Sequence, residues 1–303
     1  MANPMVKSMQ NPGNPEDKTD KTSGSPDLSD YYYFRIIDVI RDNRKIDLTQ
    51  YKPTFIRRRI SIRLRHTGTQ TLDRYYKYLL STPSEVDKLI DELTISVTNF
   101  FRDPDVWECL KSVVLPSIFA EKDATRRKNL LFWSAGCATG EEAYSLAILL
   151  HELLREDIAR YKIRIFATDL DEIAIQRGKE GVYSSESIEG SVFMADLPLE
   201  KYFTTYDEEE GLMEVIPQLK SLVVFRKEDL FQTRTMLSVF DMILCRNLLI
   251  YIDRERHEEA FEILYRHLAR KGFLVLGKNE FLTSQWKGMF EVVDLKCRIF
   301  RKR

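Results

Sequence analysis

The sequence contains few cysteines and histidines, and neither type is spaced like metal ligands or disulfide partners. Its 303 residues include four cysteines (Cys109, Cys137, Cys245 and Cys297) and four histidines, all scattered along the chain. Zinc ligands recur in close pairs, and small disulfide-rich domains hold far more cysteine per residue. We therefore expect no metal site and no disulfide framework, as is typical of a reducing compartment.

The chain also lacks an excess of charge of either sign and a long apolar run. It has 46 basic and 47 acidic residues, a formal net charge of -1, so no global field attracts nucleic acid or an anionic membrane. No uninterrupted apolar segment reaches the roughly 20 residues that span a bilayer, and the N-terminus has no apolar signal core. We therefore expect a cytoplasmic protein without direct membrane insertion.

Residues 130–150 have the pattern of a buried strand, a loop of small residues and a helix. This is the first unit of a nucleotide-binding α/β fold, in which Gly136 can turn the chain sharply beside a ligand. The loop has no third glycine at the dinucleotide spacing, and no lysine follows Gly140. These absences argue against a dinucleotide fingerprint and a phosphate loop.

Two glutamates, Glu141 and Glu142, open the predicted helix instead. A carboxylate at this point repels phosphate and suits a ligand that carries a cation. S-adenosylmethionine has a sulfonium and an α-ammonium and no phosphate. The alternative is structural, because Thr139 could cap the helix while Glu142 completes a capping box, and the two interpretations are compatible.

Asp169 follows a second predicted strand at residues 163–167. An acid at the carboxyl end of the second strand of such a fold can bind ribose hydroxyls. Asp169 could instead cap the next helix, although Asp171 could also do so and leave Asp169 to the ligand.

A later predicted strand, at residues 239–245, leads into Arg246 and Asn247. Ligands of open α/β sheets bind beyond the carboxyl ends of the strands. Cys245, Arg246 and Asn247 should therefore face the cofactor region.

The order of these elements predicts two domains. Residues 1–28 have little to bury and should form a disordered tail, whereas residues 29–121 have the periodicity of an all-α domain. Strands and helices alternate over residues 122–303, which predicts a cofactor-binding α/β domain. Residues 182–222 interrupt that alternation and predict a small inserted β-subdomain.

A basic amphipathic helix lies in the first domain. Five arginines occur between residues 57 and 65 without an acid among them, and Arg59 and Arg63 share one helix face. The helix is either a solvated charged surface or a docking site for an acidic partner.

Four motifs in one order resemble the chemotaxis receptor methyltransferase family (CheR type). They are Thr98-Asn99-Phe100-Phe101-Arg102, the stretch from Trp133-Ser134-Ala135 to Gly140-Glu141-Glu142-Ala143-Tyr144-Ser145, Ala167-Thr168-Asp169, and Cys245-Arg246-Asn247-Leu248-Leu249-Ile250-Tyr251. The resemblance covers nearly everything from about residue 31 to the end.

The resemblance implies an all-α N-terminal domain followed by a class I S-adenosylmethionine-dependent methyltransferase (Rossmann-like) domain with an inserted small β-subdomain. It implies methyl transfer to glutamate side chains of chemoreceptor cytoplasmic domains, forming methyl esters in chemotaxis adaptation. We expect a monomer that acts on chemoreceptor cytoplasmic helices, docked on Arg57, Arg59 and Arg63, and not on nucleic acid.

The resemblance also implies a set of cofactor contacts. They are Ser96, Thr98, Arg102, Glu142, Asp169, Asp229, Leu230, Cys245, Arg246 and Asn247. Ser96 and Asp229 stand where relatives often have Asn, and Lys278-Asn279-Glu280 departs from the His-Ser-Glu common in relatives.

The expected chemistry needs no general base, because a glutamate side chain with a pKa of about 4.3 is already ionised at neutral pH. Positioning of the acceptor carries much of the barrier reduction. Arg102 and Arg246 are candidates to orient cofactor and acceptor carboxylates, and Tyr251 could donate a hydrogen bond near the attacking oxygen.

Three other functions fit the sequence less well. A methyltransferase for another protein or for nucleic acid would use the same cofactor fold, and the basic helix could bind phosphate. A noncatalytic binding module would be favoured if the protein failed to bind S-adenosylmethionine. An NAD-dependent oxidoreductase would require the missing third glycine.

Overall fold

The structure, a computed structural model, describes residues 28–44, 46–93, 98–190, 193, 197–232 and 238–303. The predicted tail at residues 1–28, apart from Leu28, lies outside the described residues, and so does the predicted cofactor contact Ser96. Among the helices within these ranges, none has the length and apolar character needed to cross a membrane.

The described part of residues 28–93 is helical. Its α-helices are α1 (Leu28–Arg44), α2 (Pro53–Thr67), α3 (Leu72–Ser81) and α4 (Pro83–Leu93). Tyr33, Ile36 and Ile40 recur at helical spacing along α1 and are buried, and they pack with apolar residues of the other helices into one core. Pro53 occupies the first turn of α2, and Gly68 ends that helix with a φ of +69°.

A continuous helical segment leads from this unit into an α/β unit. It consists of α5 (Pro104–Cys109), a π-helical stretch (Leu110–Val114) and α6 (Leu115–Ala124). The later helices are α7 (Glu141–Leu154), α8 (Glu172–Glu180), α9 (Ser185–Glu189), α10 (Pro217–Lys220), α11 (His257–His267) and α12 (Ser284–Lys287). The strands are β1 (Asn129–Ala135), β2 (Lys162–Asp169), β3 (Val182–Ser184), β4 (Phe203–Asp207), β5 (Leu212–Val215), β6 (Val223–Lys227), β7 (Phe240–Cys245), β8 (Leu268–Leu276), β9 (Phe290–Asp294) and β10 (Ile299–Lys302).

The described residues form a seven-stranded sheet with the order β6-β2-β1-β7-β8-β10-β9. The strands from β6 to β8 pair in parallel, and β10 and β9 complete the sheet as antiparallel strands. Leu130, Phe132 and Trp133 of β1 are all buried, as expected for a strand covered on both faces. Because β1 has β2 on one side and β7 on the other, the chain reverses its winding there and a crevice opens beyond their carboxyl ends.

A second sheet, β3-β5-β4, is antiparallel and lies in the chain between α8 and β6. Its aromatic side chains pack against the segment that enters the α/β unit, since the Phe100 ring lies 5.0 Å from Tyr183 and 5.4 Å from Phe203 between centroids. The Tyr183 hydroxyl also donates to the carbonyl of Thr139 at 2.7 Å. The predicted fold class is confirmed, including the all-α unit and the inserted β-sheet.

Backbone hydrogen bonds join the helical unit to the α/β unit. The N–H of Lys52 donates to the Tyr251 carbonyl at 3.0 Å, and the N–H of Asp253 donates to the Gln50 carbonyl at the same distance. The amide of the Gln50 side chain also donates to Asp229 at 3.1 Å. These bonds hold the helical unit against the end of the sheet where the crevice opens.

Candidate active site

The loop between β1 and α7 folds over the carboxyl end of β2. The N–H groups of Gly136 and Cys137 donate to the Thr168 carbonyl at 2.8 and 3.0 Å, and the N–H of Ala138 donates to Asp169 Oδ2 at 2.9 Å. Gly136 has a φ of +75°, a conformation that glycine adopts without the steric cost of a side chain. The loop therefore presents backbone and a carboxylate, with little side-chain bulk, to the crevice.

The start of α7 differs from the predicted capping box. Gly140 is the N-cap residue, with a φ of +98° and no side-chain cap, and the Thr139 hydroxyl donates to Glu141 Oε2 at 2.7 Å instead. Glu142 accepts from the Ser134 hydroxyl at 2.7 Å and from Arg246 at 3.2 Å. The structure therefore excludes the capping alternative, because the Thr139 and Glu142 side chains have other partners.

Two cavities meet at this loop. The larger encloses about 960 Å³, including space open to solvent, and the smaller about 490 Å³. The residues that line both are Gly136, Ala138, Asn247 and Tyr251. The two cavities are therefore neighbouring parts of one crevice, divided by the β1–α7 loop and the segment after β7.

The larger cavity combines a carboxylate with apolar walls. Asp169 lines it and accepts from the N–H groups of Ala138 and Asp171 at 2.9 and 3.1 Å. Burial raises the pKa of Asp169, although these two hydrogen bonds favour the charged form. Asp171 caps α8 by accepting from Ile173 at 2.8 Å, so the cap is Asp171 and Asp169 faces the crevice.

Both units of the protein contribute the apolar walls of the larger cavity. The α/β unit provides Leu170, Leu230 and Leu248, and the helical unit provides Ile40, Ile46, Leu48, Tyr51, Phe55, Ile56, Ile90 and Leu93. A carboxylate beside an apolar slot suits a ribose joined to an adenine ring. The N-terminal contribution was missed by the sequence reasoning, because nothing in the pattern of α1 or α4 indicates which apolar residues face a ligand.

Asp229, a predicted cofactor contact, is engaged by protein groups. Its carboxylate accepts from Gln50, Gln232 and the N–H of Phe231 at 3.1, 3.2 and 2.9 Å. Burial raises its pKa. Neighbouring Leu230 lines the larger cavity, so of this pair the structure exposes Leu230 to the crevice and uses Asp229 to link the two units.

The smaller cavity gathers most of the predicted polar site. Its lining includes Thr98, Arg102, Glu142, Arg246, Asn247 and Tyr251. Arg102 belongs to a turn in which Phe101 and Asp103 both have positive φ, at +49° and +60°. Such conformations cost free energy for residues with side chains and are common at functional sites.

Arg246 is enclosed by protein groups. Its side chain is 2% exposed, and its guanidinium donates to Asp103 at 2.8 Å, to the Arg102 carbonyl at 2.7 Å and to Glu142 at 3.2 Å. It also lies 5.8 Å from the ring centre of Trp107. Arg246 therefore joins the Arg102 turn to the start of α7, with its charge balanced by two carboxylates.

Tyr251 lies where the two units meet. Its ring packs on Phe55 of α2 with centroids 4.9 Å apart, and the Lys52 ammonium donates to the neighbouring Ile250 carbonyl at 2.6 Å. Cys245, in contrast, is fully buried in the core and does not appear among the described lining residues of either cavity.

Glu280 was not among the predicted site residues, although the resemblance had singled out Lys278-Asn279-Glu280 as a departure from the His-Ser-Glu common in relatives. The residue is 3% exposed, and its carboxylate accepts from the N–H groups of Gly277, Asn247 and Ile250 at 2.6, 3.0 and 3.3 Å. Burial raises its pKa, which these hydrogen bonds partly oppose. It holds the segment between Arg246 and Tyr251.

The three arginines predicted to dock a partner are paired within the protein. Arg57 donates to Asp30 at 2.5 Å and lies 4.0 Å from the ring centre of Tyr33. Arg59 donates to Glu92 at 2.9 Å. Arg63 binds Glu85 in a bidentate pair at 2.9 and 3.0 Å. The pairs of Arg59 and Arg63 argue against a docking role for these two residues, because a new acidic partner would have to displace a mostly buried carboxylate. The Arg57–Asp30 pair is partly exposed and does not bear on that prediction.

Two family models match the chain. The model described as CheR methyltransferase, SAM binding domain, matches residues 96–299, and the model described as CheR methyltransferase, all-alpha domain, matches residues 31–94. Together they cover both units of the fold.

Curated proteins of similar sequence agree with these matches. A chemotaxis protein methyltransferase of Listeria monocytogenes is 32% identical over 256 residues, which are 84% of this chain and 91% of that protein. The Escherichia coli K12 chemotaxis protein methyltransferase is 30% identical over 257 residues, 84% of this chain and 85% of that protein. A 104.1 kDa protein of Rhodobacter capsulatus is 32% identical over 270 residues, and this chain spans only 27% of its length. The predicted resemblance is confirmed: the chain belongs to the CheR methyltransferase family, with S-adenosylmethionine as its cofactor.

Proposed function

We propose that this protein transfers a methyl group to glutamate side chains on the cytoplasmic helices of chemoreceptors, forming methyl esters in chemotaxis adaptation. The relatives from Listeria and Escherichia coli, which match most of this chain, are named chemotaxis protein methyltransferases. These names support methylation in chemotaxis.

The observation that supports a carboxylate acceptor is the absence of an available general base among the described residues that line the smaller cavity. Glu142 is the one acid among the described residues that line the smaller cavity, and its oxygens are engaged by Ser134 and Arg246. Burial raises the pKa of the Cys137 thiol in the same lining. A hydroxyl or ammonium acceptor must lose a proton, whereas a glutamate carboxylate is ionised at neutral pH.

The residues of the crevice fit S-adenosylmethionine in two parts. In the larger cavity we assign the ribose hydroxyls to Asp169 and the adenine to the apolar walls that include Leu230. In the smaller cavity we assign the α-ammonium to Glu142 and the methionine carboxylate to Arg102, with Thr98 and Asn247 beside them. When bound there, the cofactor supplies an electrophilic methyl group on a sulfonium.

The catalytic work of the protein is then mostly orientation and exclusion of water. Tyr251 lines both cavities, and we propose that its hydroxyl donates to the acceptor carboxylate. Arg246 acts indirectly, because its guanidinium is committed to Asp103, Glu142 and the Arg102 carbonyl. We assign it to holding these groups in place.

Receptor docking is assigned to a different face of α2 from the one first predicted. Arg58 and Arg65 are exposed and lie seven residues apart, so they share a face of the helix. Arg59 and Arg63 are half-buried ion-pair partners of Glu92 and Glu85. Acidic receptor helices would meet Arg58 and Arg65 without disrupting an internal pair.

Methylation assays test the acceptor. The protein is incubated with radiolabelled S-adenosylmethionine and receptor cytoplasmic fragments, and the label is treated with mild base. Label released as methanol supports a glutamate ester. Base-stable label, or label on nucleic acid instead, would indicate another acceptor.

Two matched double variants test the docking face. Arg58→Glu with Arg65→Glu should slow methylation while cofactor affinity stays unchanged, and wild-type rates should fall as salt rises. Arg59→Glu with Arg63→Glu should instead lower the melting temperature, because two internal ion pairs are broken. Normal receptor methylation by a folded Arg58/Arg65 variant would remove this face from the proposal.

Single-turnover kinetics test Tyr251. Tyr251→Phe removes one hydroxyl, so it should lower the methylation rate at saturating S-adenosylmethionine and leave cofactor affinity nearly intact. A wild-type rate would reduce Tyr251 to a packing residue against Phe55.

A further inference from the structure

Glu280 is a buried carboxylate without a cationic partner among the ion pairs of the described residues. It is 3% exposed, and none of those pairs includes it. Its partners are backbone N–H groups of Gly277, Asn247 and Ile250, at 2.6, 3.0 and 3.3 Å. A buried charge stabilised only by backbone dipoles is costly, which calls for a reason beyond packing.

The carboxylate connects two segments that are far apart in sequence. Gly277 follows β8, whereas Asn247 and Ile250 belong to the segment after β7. A Cβ atom on Gly277 would lie 2.7 Å from the Asn247 nitrogen and 2.8 Å from Glu280 Oε2, so only glycine permits this approach. Asn247 itself has a φ of +61°, and Glu280 accepts from its N–H in that strained conformation.

The segment held in this way carries the site at both ends. Arg246 at one end contacts Glu142 and the Arg102 turn, and Tyr251 at the other end lines both cavities. Glu280 does not appear among the described lining residues of either cavity. It therefore touches the segment and not the space for cofactor or acceptor.

We propose that Glu280 is a positioning residue for methyl transfer, which fixes the segment 246–251 so that Tyr251 meets the acceptor carboxylate. The expected effect on methyl-transfer turnover rests on the proposed function. Its structural part, the clamping of this segment by a carboxylate, is independent of the acceptor.

Glu280→Gln is the direct test, because it keeps the side-chain shape and turns one acceptor into an amide that faces N–H donors. Hydrogen bonds to a charged group are lost, so turnover at saturating S-adenosylmethionine should fall about 10- to 100-fold, with a smaller change in cofactor affinity. Amide hydrogen exchange of the peptide 246–251 should become faster in the absence of any acceptor. If Glu280→Gln does not fold, the same measurements are made on Glu280→Asp, which keeps the negative charge and shortens the side chain.

Asp241→Asn is the matched control. Asp241 is a largely buried carboxylate in β7 that accepts from the Leu131 N–H at 3.0 Å and pairs with Lys122 at 2.7 Å. It lies at the opposite end of the strand from Arg246. Its substitution should lower stability without changing exchange at 246–251 or the turnover of the folded enzyme.

A double-mutant cycle separates positioning from general loss of structure. If Glu280 acts through Tyr251, the double variant Glu280→Gln with Tyr251→Phe should be at most about 2-fold slower than Glu280→Gln alone. Rate losses that multiply would overturn the role through Tyr251. Unchanged exchange at 246–251 in Glu280→Gln would overturn the clamp itself, whether or not the wild type methylates receptor, so the two proposals fail separately.

Discussion

Burial of Glu141 should make the protein less stable as the pH rises through neutrality. Glu141 begins α7 and is 6% exposed. Burial raises its pKa from 4.5 to about 7, and the hydrogen bond from the Thr139 hydroxyl offsets part of that rise. Between about pH 4.5 and 7 the folded protein therefore keeps a proton on Glu141 that the unfolded chain has released.

The sign and size of the effect follow from linkage. Below about pH 4.5 the folded and unfolded states both hold the proton, so Glu141 does not lower the free energy of unfolding. Between about pH 4.5 and 7 the folded state binds more protons than the unfolded state, so the free energy of unfolding decreases with pH. A displacement of about 2.5 pKa units at 1.36 kcal/mol per unit gives a loss of about 3 kcal/mol above pH 7.

Glu141→Gln removes this ionisation and keeps the acceptor for Thr139. The variant should be about 3 kcal/mol more stable than wild type at pH 8 and nearly equal to it at pH 4, as measured by urea unfolding with unchanged m-values. Glu209→Gln is the control, because Glu209 is exposed in the turn between β4 and β5. A Glu141→Gln variant that is no more stable than wild type at pH 8 would refute the reasoning, and would mean that the helix N-terminus stabilises the charge.

Three further substitutions test the crevice. Asp169→Ala should weaken S-adenosylmethionine binding by roughly 1–3 kcal/mol, and calorimetry that finds unchanged affinity in a folded variant would exclude the ribose role. Gly140→Ala should destabilise the protein by about 1–3 kcal/mol, because φ is +98° and the added Cβ would lie 2.7 Å from the Phe225 ring. The control in the same melting assay is Gly288→Ala, because Gly288 has open space around it. Arg246→Lys keeps the charge but loses the planar guanidinium, so the methylation rate should fall about 10-fold or more. A wild-type rate would mean that an ammonium can replace the guanidinium in its contacts with Asp103, Glu142 and the Arg102 carbonyl.

Local patterns in the sequence predicted the elements that position the site. The apolar run before Gly136 and the helix after Gly140 predicted the strand–loop–helix unit, because strand and helix periodicities are local properties. The place of Asp169 followed from the same logic, since the end of a second strand is defined by the chain order.

The partners of charged side chains could not be predicted in this way. Arg63 pairs with Glu85 and Arg59 with Glu92, across 22 and 33 residues, and the packing of α2 on α4 decides both pairs. A helix without acids therefore looked like a free basic surface. The role of Glu280 could not be predicted for the same reason, because its partners are backbone N–H groups of Gly277, Asn247 and Ile250, which no side-chain pattern marks.

The placement of Arg246 answers a chemical problem posed by a carboxylate acceptor. A guanidinium paired directly with the acceptor would draw electron density from the attacking oxygen and weaken it as a nucleophile. Here the guanidinium is buried and balanced by Asp103 and Glu142, so its net field in the crevice is small. The proposed acceptor would instead meet the hydroxyl of Tyr251, which can align the carboxylate without neutralising it. Arg246 thus fixes the geometry of the site through Asp103, Glu142 and the Arg102 carbonyl, and a neutral donor contacts the nucleophile.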